Sequence, residues 1–326
     1  MLKILSGDMP KLLAMRFIRL LATLFAVSFL TFFLTSLLPG DPVDSILPPT
    51  APRDEETVAR VREELGLNDP LPIRFAEWLG NAVQGDLGKS YLTDQPVWNE
   101  ITARLPVTAE LAFVSIFFSV FAAIPLGIWS AYRQGQRADV TISAIVQFFL
   151  SVPGFVAGVF LTWGFAVQLK LLPATGWVRL TADPIGNFKS VLLPASSLAL
   201  AQMAVFTRLV RADMITTLQE NFVLSARAKG LSDRYVLFRH AFRPSSLSLI
   251  TVVGLNIGGL LGGTVVIEQL FAVPGLGRKM LEGINTRDIM VVQGIVLFIS
   301  AFYVIVNTIV DLVYIVVDPR IRIKGT

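Results

Sequence analysis

Residues 20–38 read LLATLFAVSFLTFFLTSLL, nineteen positions without a charge. An α-helix rises 1.5 Å per residue, so roughly 20 apolar residues cover the ~30 Å hydrocarbon core of a bilayer. The run is long enough to cross. A cleaved signal peptide has a shorter apolar region and a small-residue cleavage site. Leu37-Leu38-Pro39-Gly40 offers no such site, so the segment reads as a retained span.

Five later stretches have the same character. Ala109–Ala131 carries only Glu110, at its edge, and Val140–Val167 is uncharged around Pro153. Val191–Thr207 has Pro194 near its start, Leu247–Leu270 is interrupted by Glu268, and Ile289–Val317 by Asp311. The expected fold is all-α: a polytopic bundle of about six spans. The chain divides into an N-terminal segment with the first span (1–38), a long connection (39–108) and a core of five spans (109–326) that contains a second long connection, 208–246.

Composition agrees. Of 326 residues, 53% are hydrophobic and 16% charged, where a soluble domain carries about a quarter charged residues. The net charge of +4 does not signal nucleic acid, because the basic residues sit beside apolar runs and form no stripe on one domain. The absence of cysteine removes disulfides and thiolate chemistry.

Lys and Arg in short loops orient spans toward the cytoplasm. With the N-terminus inside, the inner segments hold Lys3, Lys11, Arg16 and Arg19, then Arg133 and Arg137, then Arg208, Arg211, Arg227, Lys229, Arg234, Arg239 and Arg243, and last Arg320, Arg322 and Lys324. Only Asp8, Asp139, Asp213, Glu220, Asp233 and Asp318 oppose them there. Both termini are expected in the cytoplasm. The connection 39–108 then lies outside, with one helix over Asp54–Leu65, ended by Gly66, and another near Ile73–Val83. The connection 208–246 lies inside.

Signs of chemistry fail on inspection. Gly85-Asp86-Leu87-Gly88-Lys89-Ser90 resembles a phosphate loop, but the motif needs a glycine where Val83 stands, and no strand precedes it. It reads as a turn. The lone histidine, His240, sits among Arg239, Arg243 and Lys229, without the ligands a metal needs. No nucleophile–base set is visible in the spans. The chain is not expected to be an enzyme.

Two features carry more. In the fifth span, Gly254, Gly258, Gly259, Gly262 and Gly263, with Asn256 among them, place small residues on adjoining helix faces. Such faces allow close approach; they suit packing within the bundle, or a substrate path or seam with a partner. Glu268 is costly in lipid and must face protein or water. It reads as an outer gate or as an anchor for Arg278 or Lys279. In the inner connection, Asn221–Lys229 predicts a short helix ended by Gly230, with Ser232 or Asp233 capping a second helix to His240. Ala226 and Ala228 leave one side slim, and Phe222, Leu224 and Leu231 supply apolar anchors. A short, slim helix ringed by cations suits docking into another protein. Pro244 is expected to break the chain before the fifth span.

These residues resemble a known family. Val223-Leu224-Ser225-Ala226-Arg227-Ala228-Lys229-Gly230-Leu231-Ser232, followed by Arg239-His240-Ala241-Phe242-Arg243, is similar to the coupling loop of ABC importer permeases of the oligopeptide/dipeptide family. Four more stretches agree: Glu268-Gln269-Leu270-Phe271-Ala272-Val273-Pro274-Gly275-Leu276-Gly277; Arg287-Asp288 with Gln293-Gly294; Asn307, Asp311, Tyr314 and Asp318-Pro319-Arg320; and Leu65–Leu71 with Trp78 and the 85–90 turn. The last points to the first, B-type permease. The chain departs where the broader E-A-A motif reads Leu224-Ser225-Ala226, and where Pro244 and Ser248 replace the usual Asn and Pro.

The resemblance implies a type I importer permease in the bacterial inner membrane, moving peptides. It implies partnership with a second permease, two cytoplasmic ATPases holding ATP and magnesium, and an extracytoplasmic binding protein. No cofactor is then expected in this chain. Coupling would fall to Glu220, Phe222, Leu224, Ser225, Ala226, Arg227, Ala228, Lys229, Gly230, Leu231, Arg239, His240 and Arg243. The path or permease seam would fall to the fifth-span glycines, Asn256 and Glu268, and binding-protein docking to Asn68, Asp69, Trp78, Asp86 and Lys89. Relatives serving nickel complexes, haem, glutathione or sugars leave the cargo open. A secondary transporter would need intramembrane carboxylates or unwound helices in repeated halves; beyond Glu268 and Asp311 the sequence shows none, and it has no repeat.

Overall fold

The computed structural model describes residues 9–37, 43, 54–64 and 66–317. Twelve helices organise them: α1 Met9–Ser36, α2 Glu55–Glu64, α3 Leu71–Val83, α4 Val97–Tyr132, α5 Arg137–Ser151, α6 Gly154–Gln168, α7 Pro184–Leu218, α8 Asn221–Ala228, α9 Asp233–Gly263, α10 Val265–Leu270, α11 Leu276–Asn285 and α12 Ile289–Val317. Five are long and apolar enough to cross a membrane, and the bent pair α5–α6 makes six if it counts as one span. Leu65, the tail cations and Asp318-Pro319-Arg320 lie outside the described residues, as do the side chains of Asp311 and Tyr314.

Three spans differ from their expected limits for local reasons. Helix α4 starts at Val97, because Val97 and Ile101 bury an apolar face while Glu100 and Arg104 pair four residues apart. A search for uncharged runs misses such an amphipathic turn. The third span is broken: α5 and α6 meet at 104°. Val152 is extended (φ −91°, ψ 120°), as a residue before proline prefers, and Pro153 cannot continue the hydrogen-bond ladder. Helix α7 begins at an Asp183 cap, whose carboxylate accepts from the Ile185 N–H (3.0 Å).

Pro244 does not break the chain. Helix α9 passes through it to Gly263. Residues Val236–Ala241, just before it, wind as a π-helix. That widened turn redirects the carbonyls a proline ring would otherwise strike.

Two packed units are described separately. One comprises the residues up to Pro106 with Gly275–Thr308, and the other Val107–Pro274 with the chain from Ile309. In the first, Leu87, Val97, Ile101, Leu276, Val291 and Ile295 form the core. In the same unit, Phe25, Phe29 and Phe32 of α1 meet the ring of Phe75 of α3 edge to face. In the second unit the main core lies where α4, α7, α8 and α9 meet, through Ala131, Phe206, Met214, Val223, Val236 and Leu249.

Candidate functional site

The helix–turn over residues 220–232 is built as its sequence suggests. Glu220 is extended (φ −72°, ψ 146°) and starts α8. Gly230, at φ +78°, ends it in the left-handed conformation that glycine adopts without strain. Its N–H reaches the Arg227 carbonyl (2.9 Å), and the Leu231 N–H reaches that of Ala226 (3.4 Å). Ser232 is extended (φ −63°, ψ 146°) and precedes the first residue of α9.

Burial divides α8 into two faces. Val223 and Ala226 turn inward onto the core formed with Met214, Val236 and Leu237. Ala226 therefore belongs to the face that holds the helix to its own bundle, not to a slim outer side. The free side presents Phe222 (45% exposed) and Leu224 (53%), with Glu220, Ser225, Arg227, Ala228, Lys229, Gly230, Leu231, Arg239 and Arg243 also exposed. His240 is half-buried with its ring 5.4 Å from that of Tyr235. The result is a helix whose exposed side chains, Phe222 and Leu224 on different flanks with cations around them, surround a buried strip of Val223 and Ala226.

The fifth-span glycines separate as well. A Cβ on Gly254 would lie 2.7 Å from the Val310 side chain, so that glycine is a packing site. Gly258 is buried too. Gly259, Gly262 and Gly263 would meet nothing within 4 Å. Asn256 donates to the Val252 carbonyl (2.8 Å) along its own helix. Glu268, fully buried in α10, accepts from the hydroxyls of Thr108 (2.8 Å) and Thr264 (2.9 Å). Lys279 finds its acidic partners in Glu100 (3.8 Å) and Glu282 (3.5 Å).

In the long connection between α1 and α4, Asn68 and Asp69 are exposed just after Gly66, whose φ is +63°. Trp78 is buried against Phe32 and Phe75, so its ring is part of the packing of α1 on α3 and does not offer a docking surface. Asp86 accepts from the Gly88 N–H (2.9 Å), and Lys89 lies 3.6 Å from Asp94 at the surface. The 85–90 segment is thus a structural turn, closed by Gly85 (φ +88°) and Gly88 (φ +78°).

Two polar contacts went unread in the sequence. The buried Ser90 hydroxyl donates to the Asp288 carboxylate, which also accepts from the Tyr91 N–H (3.2 Å). Burial pushes the Tyr91 phenol up to about 12, with nearby Asp288 adding to the rise against the opposing pull of Arg74. In the other unit, Asp139 receives both Nε (2.7 Å) and Nη2 (2.8 Å) of Arg211, the Ser130 hydroxyl (2.5 Å) and the Gly135 N–H (2.9 Å). Asp139 and Arg211 lie in hydrophilic ends of spans, where the charge rule counts them only as topology signals.

Similarity to known proteins follows the same architecture. Residues 123–323 match the family described as the inner membrane component of binding-protein-dependent transport systems, and residues 9–112 match its N-terminal companion family. A Brucella abortus protein, provisionally named a peptide transport system permease protein, is 39% identical over 314 residues, covering 96% of this chain and 99% of its own. The glutathione transport system permease of Shigella flexneri is 36% identical over 309 residues, covering 95% and 98%. The nickel import system permease of Staphylococcus aureus is 36% identical over 310 residues, covering 95% and 91%. A crystal structure of the inward-facing MetNI methionine ABC transporter shares the fold: TM-score 0.53 at 19% identity, over 67% of this chain and 95% of that one. Spans, helix–turn–helix and these likenesses converge, and the chain belongs to the inner membrane components of binding-protein-dependent transport systems, the ABC permeases of type I importer fold.

Proposed function

We propose that this permease moves peptides inward as one half of an ATP-driven importer. It pairs with a second permease, takes its energy from two cytoplasmic ATPases through residues 221–244, and receives cargo from an extracytoplasmic binding protein. The observation that carries the reading is the geometry of α8: a helix anchored by Val223 and Ala226 that leaves Phe222, Leu224 and cations exposed around it. Buried anchors make it rigid enough to transmit a push, and its free face suits a groove in a partner. Peptide cargo is supported by relatives named for peptide transport across nearly the whole chain.

A second cargo reading has support of its own. Relatives at 36% identity are named for glutathione and for nickel import. Cargo choice then lies mainly with the binding protein, and the permease mechanism is the same.

The test is purification of the tagged chain in mild detergent. Two ATPase subunits and a second permease are expected to accompany it, with ATP hydrolysis stimulated by a binding protein loaded with peptide. A chain that purifies alone and supports uptake driven by an ion gradient overturns the reading. Orientation is testable in the same cells, because the chain has no native cysteine. A cysteine replacing Arg60 should react with an impermeant maleimide from outside, and one replacing Ala228 only after permeabilisation.

A further inference from the structure

We infer that the Asp139–Arg211 pair is the link that carries motion of the coupling helix into the broken span α5–α6. This rests on the coupling role proposed for α8. Arg211 stands near the end of α7, the helix that leads through Gln219 and Glu220 directly into α8. Asp139 stands in the first turn of α5, the helix that bends 104° at Pro153 into α6. The pair therefore joins the element that receives the push to the element with the hinge.

The packing explains why the link matters. The core beneath α8 is made by α4, α7, α8 and α9, so these helices move with it as one body. Among the described residues, α5 contributes no side chain to that core. Helix α5 does pack against α7, as does α6, and a pocket of about 610 Å³ opens along the α5–α7 contact, with Ile142 and Gln147 on one wall and Val205 and Arg208 on the other. Apolar contacts are non-directional, so alone they let neighbouring helices slide past one another. A two-pronged guanidinium–carboxylate contact, by contrast, fixes distance and angle together.

The carboxylate is set for this task. Asp139 is buried, and it accepts the Ser130 hydroxyl from α4 and the Gly135 N–H from the α4–α5 turn as well as Arg211. A buried charge so fully paired cannot release one partner without a large electrostatic cost. It holds the head of α5 to two elements of the moving body at once. A second contact, Tyr132 hydroxyl to Asp233 carboxylate (2.9 Å), ties the end of α4 to the foot of α9 and stiffens that body further.

The experiment uses the assembled transporter in nanodiscs, with spin labels on cysteines replacing Ile145 in α5 and Val159 in α6, both exposed and on either side of the Pro153 break. Distances are measured before and after trapping with ATP and vanadate. With the native pair, trapping should shift the 145–159 distance. With Asp139→Asn, trapping should still inhibit ATP hydrolysis, but the fraction of molecules showing the shift should fall at least about fivefold, the size of a typical coupling interaction. Arg211→Lys keeps the charge, gives up the two-pronged contact and should lie between the two. An undiminished shift in both variants overturns the inference. If Asp139→Asn fails to insert, Arg211→Lys decides alone: a full shift overturns the link and a reduced one supports it. A second pair, at Thr216 in α7 and Val159, reads the moving body itself; no shift there in the native transporter overturns the coupling role of α8, which separates that failure from failure of the link.

Discussion

Ser90 and Asp288 lie 198 residues apart in sequence and meet in a buried hydrogen bond. One closes the 85–90 turn, and the other stands just ahead of α12, where its carboxylate also faces the Val291 N–H (3.5 Å). One carboxylate therefore fixes the connection ahead of α4 onto the start of the last span.

Replacing Asp288 with alanine leaves the Ser90 hydroxyl and the Tyr91 N–H without that acceptor. Loss of a charged acceptor in a buried site costs about 1.5–3 kcal/mol. The expected result is a lower melting temperature of the purified permease and faster amide exchange across residues 88–93. Unchanged exchange there removes the tether from the account.

The Tyr91 phenol gives the same region a pH signature. Its pKa is raised from 10.0 to about 12 by burial. Between those values the folded chain holds a proton that the unfolded chain has lost, so the contribution to stability is whole below pH 10 and disappears as pH rises through 12. Ultraviolet titration should show one tyrosine ionising well above an exposed one, and Tyr91→Phe should remove that late step.

Gly230 separates backbone geometry from side-chain space. A Cβ there would meet nothing within 4 Å, so only its φ of +78° restricts substitution. Asparagine tolerates that conformation and valine does not. Gly230→Asn should keep ATPase association and uptake near normal. Gly230→Val should insert but lose both, at a backbone cost of about 1–3 kcal/mol. Normal uptake in the valine variant removes α8 from the coupling path.

The glycines of α9 predict a contrast. Gly254→Ala forces a methyl against Val310 and should destabilise by about 1–3 kcal/mol. Gly259→Ala and Gly262→Ala meet open space and should leave the melting temperature unchanged. If they still reduce uptake, that face meets cargo or another subunit; if uptake is normal, the face is inert.

How much was legible follows from what each signal measures. Span length and hydropathy located α1 and α12 well, because crossing a bilayer imposes a minimum apolar length on the chain. They missed the head of α4, where Glu100 and Arg104 neutralise one another across a helical turn. They marked Pro153 without showing the bend, since proline permits a kink and packing sets its angle. The Pro244 expectation failed because a π-turn absorbs what an α-turn cannot. At the candidate site, the left-handed helix end at Gly230 was readable from residue type alone. Which side of α8 Ala226 occupies was not, since only the packed core defines inside. Asp139 with Arg211 and Ser90 with Asp288 were invisible as pairs, for long-range partners leave no local pattern.

The uninterrupted course of α9 through Pro244 has a mechanical consequence. Thirty-one residues at 1.5 Å each make a rod of about 46 Å. Tilting such a rod by about 5° about the turn at Gly230 sweeps its far end, at Gly263, sideways by about 4 Å. A chain broken at Pro244 would have spent that tilt at the joint. Unbroken, the helix has the geometry of a lever, in which a small angular displacement at the Gly230 end becomes a shift of several ångströms at the opposite end.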